Sequence, residues 1–334
     1  MERRTVLRAA AATVAVPWLV RARAQTRARR IGVLYPRADP GNPPPGAAEA
    51  WKKVGWIESE TLLIERRYAA WHMDRMPDLV EELLKRQRVE LLVAYGPWAA
   101  AAAARATRTV PIVFLWALLP IECGLIDSYA RPGRNCTGIA FSAGFEVYAK
   151  RLEIIRAIAP SARRLALLSG DTRQFTVSGE PIDAMWSEVA AAAKAQGFEH
   201  TIHMVNRIED IGPALAEAAG ARAQAANIAG DWFVSSASQV VDFALRQRWL
   251  TSTIHPELFD AGLLLYHGPS EADGIYGTGR MQQMVDRILR GANPADIPVE
   301  IPSRFEFALN LKTARALGLT LPPSVQLRAD RVVE

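Results

Sequence analysis

Aromatic and charged side chains stand at the ends of several predicted strands, and these residue types suit the capture of a small solute. Arg37 follows an apolar run that ends at Tyr35, and a guanidinium there can hold a carboxylate through two parallel hydrogen bonds. Gly96 and Trp98 open a predicted helix, where free backbone N–H groups attract carboxylates. Trp116 ends a further strand and offers a flat apolar face to planar or aliphatic ligands. The plainer alternatives are a solvated loop position for Arg37 and internal packing for Trp98.

The second half of the chain carries a further set of candidates. They are Phe141, Ser142, Asp171, Asp231, Trp232, His255 and His267. Phe141 and Ser142 lie where the two halves of the chain join, and the others end predicted strands. A histidine in such a place can donate a hydrogen bond to a ligand, although a lone histidine is more often a structural or surface residue. Together the two sets predict a binding cleft between two parts of the molecule.

The motifs of the common α/β enzymes are missing from the sequence. No phosphate-binding G-x-x-x-x-G-K-[ST], zinc-binding H-E-x-x-H or nucleophile-elbow G-x-S-x-G pattern occurs. Gly274, Gly277 and Gly279 do not complete a dinucleotide fingerprint, and no pair of carboxylates stands out as an acid and its base. We therefore predict a binding protein with no catalytic residue, no metal and no cofactor. An α/β enzyme remains an alternative, because the same fold class also builds enzymes.

The elements that must position these residues alternate between strands and helices. The predicted strands of the first half are 30–35, 61–68, 89–95 and 111–116, and the predicted helices are 46–55, 74–88, 98–107 and 120–130. Strands that alternate with helices of this length indicate a parallel sheet. Because the strands are almost continuously apolar, we expect helices to cover both faces of that sheet.

The same alternation starts again in the second half. The predicted strands are 165–169, 199–205, 225–230, 250–255 and 262–267, and the predicted helices are 181–197, 208–221, 236–247 and 271–291. The chain is expected to cross between the halves near 138–142, 267–270 and 294–301. This pattern predicts an α/β protein with two lobes, parallel sheets and a three-crossing hinge. The first lobe would contain 30–137 plus 268–296, and the second 138–267 plus 297–334.

The first 24 residues have the composition of an export signal. Arg3 and Arg4 precede a weakly apolar run, and Ala22-Arg23-Ala24 resembles a cleavage site, so we expect a twin-arginine signal cleaved near Ala24. A mitochondrial-type presequence or an uncleaved membrane anchor are the alternatives. The formal net charge of the chain is +5, but the leader holds five arginines against one acid, so the remainder is nearly neutral. A nearly neutral body argues against a nucleic-acid partner.

The two cysteines, Cys123 and Cys136, fit no zinc signature because no second Cys or His pair accompanies them. Cys123 is expected to open a helix, and Cys136 to lie where the next strand begins. They could pair in an oxidising compartment, but a disulfide needs a geometry that spacing does not supply. We favour two buried free thiols.

Five segments together resemble one known protein family. They are Arg75–Val80 (RMPDLV), Val110–Phe114 (VPIVF), Arg131–Gly138 (RPGRNCTG), Lys150–Glu153 (KRLE) and Phe305–Leu319 (FEFALNLKTARALGL). Their order and spacing are similar to those of ABC transporter substrate-binding proteins related to tryptophan-binding TrpX lipoproteins. The resemblance covers roughly residues 30–334.

The resemblance implies a fold and a role. The fold would be that of the periplasmic binding proteins, in which two Rossmann-like lobes close on a solute. The role would be solute capture in the periplasm by a monomer that delivers to an ABC permease and its ATPase. Leu119 stands where the family has an acid, so an aromatic or apolar carboxylate or an amino-acid-like compound is expected rather than a sugar. A ligand-sensing module for a signalling receptor is the alternative role.

Overall fold

The computed structural model describes residues 27–141, 146–270 and 279–334. The predicted leader, the candidate Ser142 and the first part of the helix predicted at 271–291 lie outside the described residues. Within these residues, no helix has both the length and the apolar content that a membrane crossing requires.

The first sheet is built from five parallel strands. These are β1 (Arg29–Tyr35), β2 (Leu62–Tyr68), β3 (Leu91–Tyr95), β4 (Ile112–Ala117) and β5 (Cys136–Ala140). Their order across the sheet is β2-β1-β3-β4-β5. The helices between them are α1 (Ala47–Lys53), α2 (Met76–Glu81) and α3 (Gly96–Ala106). In sheets of this order, ligands bind beyond the carboxyl ends of the strands, beside the point where the order reverses.

The second sheet repeats this plan and extends it. Its strands are β6 (Arg164–Ser169), β7 (Glu199–Met204), β8 (Ala225–Ile228), β9 (Leu250–Thr253), β10 (Leu265–Pro269), β11 (Phe305–Asn310) and β12 (Arg331–Val333). The order is β12-β11-β10-β9-β8-β6-β7, so its first five strands in the chain have the same relative order as the first sheet. The helices that follow α3 in the chain are α4 (Glu146–Ile158), α5 (Asp183–Ala195), α6 (Ile211–Gly220), α7 (Asp231–Ser235), α8 (Ala237–Arg246), α9 (Pro256–Ala261), α10 (Arg280–Leu289), α11 (Leu311–Ala316) and α12 (Pro323–Gln326). The two-lobe α/β prediction is confirmed.

One strand pair in the second sheet departs from the predicted parallel arrangement. β11 runs antiparallel to β10. The reason lies in the connector 297–304, which reaches the sheet at the end where β10 stops. There the Ser270 N–H donates to the Arg304 carbonyl at 3.0 Å, so β11 starts beside the last residues of β10 and must run in the opposite direction.

The helix α10 packs on the first sheet although it follows β10 of the second. Its side chains Val285 and Leu289 are buried in one cluster with Ile31 and Val33 of β1. The Trp56 indole N–H also donates to Asp286 of this helix at 2.8 Å. The chain therefore returns to the first lobe after β10 and leaves it again through the connector 297–304.

That connector lies against the end of β5. The Ala140 N–H donates to the Glu300 carbonyl at 2.9 Å, and the Glu300 N–H donates to the Gly138 carbonyl at 3.0 Å. Two segments that join the lobes thus run side by side and hold each other. Such paired connectors allow bending about a shared line more easily than independent movement of either one.

The predicted helix at 120–130 does not form. Residues 118–126 make tight turns instead, and Leu119 and Gly124 both have left-handed φ values, of 45° and 75°. A right-handed helix cannot propagate through such residues. Cys123 therefore lies in a turn, whereas Cys136 does begin a strand, β5. Both thiols are free and buried, and burial raises the pKa of each to about 12.

Candidate ligand-binding cleft

A cavity of about 400 Å³ lies between the two lobes. This volume falls within the range of roughly 300–1,000 Å³ that is usual for small-molecule sites. The carboxyl ends of β1, β3 and β4 supply the wall of the first lobe, and the residues that follow β6, β8 and β9 supply the wall of the second. Eight of the sequence candidates line it: Tyr35, Arg37, Gly96, Trp98, Trp116, Phe141, Asp231 and His255.

Three other candidates lie away from the cavity wall. Asp171 forms an ion pair with Arg173 at 2.6 Å, and the hydrogen bond from that guanidinium lowers the pKa of the carboxyl. Trp232 is completely buried behind the wall. His267 lies on β10, one strand beyond those that reach the cavity, and its ring centroid is 6.2 Å from that of Phe305.

Several wall residues were missed by the sequence analysis. They are Trp71, Tyr95, Tyr148, Phe175 and Glu257. Tyr95 and Glu257 had an available signal, since Tyr95 ends β3 and Glu257 lies two residues after His255. The others come from a loop after β2, from a helix and from the loop after β6, where no strand-end rule applies.

Stacked tyrosines form the floor of the first-lobe wall. The Tyr35 ring lies 4.9 Å from Tyr68 and 4.5 Å from Tyr95, nearly parallel to both. The guanidinium of Arg37 lies 5.2 Å from the centre of the Tyr35 ring. Burial raises the pKa of Tyr35 and of Tyr95, so both phenols stay neutral. The result is a flat aromatic surface, with the half-buried Arg37 at its edge.

Trp116 reaches the cavity because the backbone is irregular there. The pairing between β4 and β5 shifts between Leu115 and Ala117, and Trp116 at this bulge has a left-handed φ of 62°. A bulge turns the extra side chain away from the regular alternation of the strand. A left-handed tryptophan is strained, and such strain is often found at functional sites.

The side chain of Trp98, on α3 of the first lobe, contacts residues of the second lobe. Its ring meets Phe175 edge-on at 4.7 Å and Trp232 edge-on at 4.6 Å. Trp98 is 4% exposed, and its indole N–H has no hydrogen-bond partner within the described part of the chain. Trp98 is therefore packed internally and also lines the cavity.

The second-lobe wall carries two carboxylates at the starts of short helices. Asp231 begins α7, and Glu257 lies in the first turn of α9. Burial, helped by the negative charge of Glu257, raises the pKa of Asp231 to about 7. A quarter of the Asp231 side chain remains exposed, and it borders the cavity.

His255 is held as a neutral imidazole beside these acids. Its Nε2 accepts from the Gly230 N–H at 3.0 Å, so the proton of the neutral ring is on Nδ1. Nδ1 lies 3.8 Å from Asp231 Oδ1, beyond hydrogen-bond length. Burial and the nearby positive charge of Arg151 lower the pKa of His255 to about 4. At neutral pH, His255 therefore gives Asp231 no positive charge.

The lobes also touch outside the cavity, through contacts that we call the interlobe clasp. Arg105 at the end of α3 donates to the carbonyls of Arg173, at 3.0 Å, and Thr176. The Val177 N–H donates to the Cys123 carbonyl at 2.8 Å. The clasp thus joins the first lobe to the loop that follows β6, and none of these five residues lines the cavity.

The side chains of the cleft can hold a small solute by apolar contact and by charge. The wall combines aromatic rings, one arginine and two carboxylates. Across the described ranges, no group of three His, Cys, Asp or Glu side chains is arranged to hold a metal ion.

Comparison with known proteins gives a consistent result. A family model described as ABC transporter substrate binding protein matches residues 45–333. A protein of Clostridioides difficile named tyrosine-binding protein is 20% identical over 288 residues, which cover 86% of this chain and 78% of the relative.

Two solved structures share the fold over 92% of this chain and 100% of theirs. One is a conserved domain protein of Vibrio cholerae, with a TM-score of 0.78 and 19% identity. The other is an ABC domain from Streptococcus pneumonia in complex with L-Trp, with a TM-score of 0.77 and 21% identity.

Proposed function

Since the chain belongs to the ABC transporter substrate-binding protein family, we propose that it captures a small aromatic or apolar solute with a carboxylate or amino-acid-like head group and delivers it to an importer. Membership confirms the family resemblance of the five sequence segments. It also makes the coarse function plain, which is the binding of small molecules for an ABC transporter.

One observation carries the proposal: the cavity between the lobes is walled by aromatic rings and has charged groups on opposite sides. Trp116, Tyr35 and Tyr95 supply apolar faces from the first lobe, and Arg37 supplies a cation. Asp231 faces them from the second lobe. The tyrosine-binding relative and the L-Trp complex support the same ligand type.

Capture would proceed by closure of the two lobes. Because each wall comes from a different lobe, the complete set of contacts exists only when the lobes are together. A solute that binds the closed state more tightly shifts the population toward that state. The closed form would then dock on a permease that works with an ATPase.

The site of action would be the periplasm. The leader composition supports export through the twin-arginine route, and a monomeric carrier suits diffusion between solute and permease. Replacing Arg3-Arg4 by two lysines should leave precursor in the cytoplasm. Unchanged export that depends on the general secretory route would contradict this targeting.

A thermal-shift screen tests the ligand class. Aromatic amino acids, aromatic acids, aromatic amines, sugars and polyamines are added to the purified mature protein, and the true class raises the melting temperature by mass action. Tryptophan fluorescence should change on binding, since Trp98 and Trp116 line the cavity. A screen in which only sugars or polyamines stabilise the protein would contradict the proposal.

A further inference from the structure

Building on the proposed function, we infer that the solute carries a protonated amine, that Asp231 and Glu257 receive this amine together, and that its docking expels a proton from Asp231 to solvent. The amine is then required for capture, while a carboxylate on the same solute is optional.

The carboxylates lack a counter-ion in the protein. Within the parts of the chain that the structure describes, no Lys or Arg nitrogen lies within 4.0 Å of Asp231 or Glu257. Asp231 is largely buried, whereas Glu257 is exposed, and the negative charge of Glu257 adds to the cost of ionising Asp231. An incoming cation would relieve this repulsion. A solute that carried only a carboxylate would instead add a third negative charge to that wall.

The groups around Asp231 show why a ligand must supply the missing charge. The start of α9 contributes Glu257 and the neutral imidazole of His255. From α4, the buried Arg151 acts on His255, but its hydrogen bonds go to Asn227 and to the His267 carbonyl rather than to an acid. From α3 of the other lobe, Gly96 approaches Asp231.

The approach of Gly96 leaves that side of Asp231 without a side chain. A Cβ built on Gly96 would lie 3.6 Å from Asp231 Oδ2, so even a methyl group would occupy space next to the carboxylate. Arg37, the one cationic side chain among the described wall residues, lies beside Tyr35, in the other lobe. Arg37 can therefore take a ligand carboxylate while the amine reaches Asp231.

The aromatic wall favours the same kind of group. Cations bind well against the faces of tryptophan and tyrosine rings, which carry partial negative charge. Trp98, Trp116 and Tyr148 all line the cavity with Asp231. An ammonium attached to an aromatic body can thus meet ring faces and carboxylates at once.

The pH dependence has a definite sign. The raised pKa of Asp231, about 7, means that the unliganded carboxyl is about half protonated at neutral pH. A bound cation favours the ionised carboxylate, so binding releases a proton. Affinity for an amine should therefore increase as pH rises through 7 and become constant above it.

The experiment compares matched pairs of compounds by titration calorimetry. The amines are tryptamine, tyramine and phenethylamine, and each is paired with the propionate of the same ring. We expect the amines to bind at least about tenfold more tightly than their propionates, and about tenfold more tightly at pH 8 than at pH 5.5. Titration in two buffers of different ionisation enthalpy at pH 7 should show the release of about half a proton.

Asp231→Asn and Glu257→Gln test the two carboxylates. Asp231→Asn should weaken amine binding at least about tenfold and abolish proton release, and Glu257→Gln should weaken binding and reduce proton release. The matched control is Asp183→Asn, an exposed aspartate in the first turn of α5, which should change neither quantity. Melting temperatures and circular dichroism establish that each variant is folded.

The outcomes separate this inference from the proposed function. Propionates that bind more tightly than their amines, or proton release that persists in Asp231→Asn, would overturn the inference and leave an aromatic-solute carrier intact. If neither series binds while sugars do, both proposals fail. Binding of polyamines alone would overturn the aromatic-solute proposal, and proton release in Asp231→Asn would then decide the inference. If Asp231→Asn unfolds, proton release in Glu257→Gln decides the question, and an unchanged value overturns the inference.

Discussion

At the scale of single residues, the cleft depends on side chains held in unusual backbone conformations. Trp116 and Trp71 both line the cavity and have left-handed φ values of 62° and 66°. A non-glycine residue in this region costs roughly 1 kcal/mol or more. The surrounding structure must therefore hold these rings in place. As a result, two large apolar ring faces line the cavity.

Trp116→Ala should weaken solute binding by about 1–3 kcal/mol, as the loss of a stacked ring does in other sites. The fold should remain intact because the side chain is only partly buried. Isothermal titration measures the loss. The control is Trp186→Ala on α5, a partly buried tryptophan outside the cavity wall, for which the affinity should be unchanged. Full affinity in Trp116→Ala would remove Trp116 from the binding wall.

Asp231→Asn should also change stability without ligand, in a pH-dependent way. The folded-state pKa is raised to about 7, above the unfolded value, so the aspartate costs stability once pH rises above the unfolded pKa, and the full cost is reached above 7. The free energy of unfolding of Asp231→Asn, relative to that of the unsubstituted protein, should be about 1–3 kcal/mol higher at pH 8 than at pH 4. Urea unfolding at both pH values measures this. An equal difference in the free energy of unfolding at both pH values would show that folding does not perturb the pKa of Asp231.

At the scale of secondary-structure elements, continuous apolar runs predicted the strands well. RIGVLY and PIVFLW became β1 and β4, and the strand ends then located Tyr35, Arg37 and Trp116 on the cavity wall. The helix predicted at 120–130 was wrong: the composition of the segment is compatible with a helix, but Leu119 and Gly124 both have a left-handed φ. The spacing of apolar residues along the sequence indicates only how one element packs on its own sheet.

Contacts between distant elements leave no such periodic trace. Tyr148 lies on the helix α4 and Phe175 in the loop after β6, yet both line the cavity because the second lobe places them opposite the first. These residues could be found only once the two lobes were seen together.

In the strand β5, Gly138 is a position at which an added side chain should lower stability. It has a φ of 153°, and an added Cβ would overlap the backbone of Phe114 on β4. Because backbone cannot move aside cheaply, Gly138→Ala should lower the free energy of unfolding by about 3 kcal/mol or more. The control is Gly220→Ala at the end of α6, where the methyl group meets nothing within 4 Å and stability should stay equal or rise. Urea unfolding compares them, and equal midpoints would contradict the prediction.

At the scale of the whole molecule, closure rests on two separate groups of contacts. In the closure that we propose, the cavity walls would meet through the solute, whereas the interlobe clasp joins the lobes directly. Both groups favour the same closed arrangement. The clasp therefore sets how much of the closing free energy the solute itself must provide.

Arg105→Ala should open the unliganded molecule and weaken the binding of every solute by the same factor. Loss of its interlobe hydrogen bonds is worth about 1–2 kcal/mol, or roughly 5- to 30-fold in affinity. Small-angle scattering should show a larger radius of gyration without solute. Arg108→Ala serves as the control, because this exposed arginine near the same helix end makes no hydrogen bond to the second lobe in the described structure. A factor that differs between solutes would place Arg105 in recognition rather than in closure.

The separation of clasp and cavity has a consequence for how such a carrier can evolve. Substitutions at Arg105 should rescale the affinity for all solutes together, because its side chain joins the lobes and does not line the cavity. Such substitutions would adjust the concentration at which the protein saturates and leave its selectivity unchanged. Changes of selectivity would require substitutions at the wall, and the two traits could be selected independently.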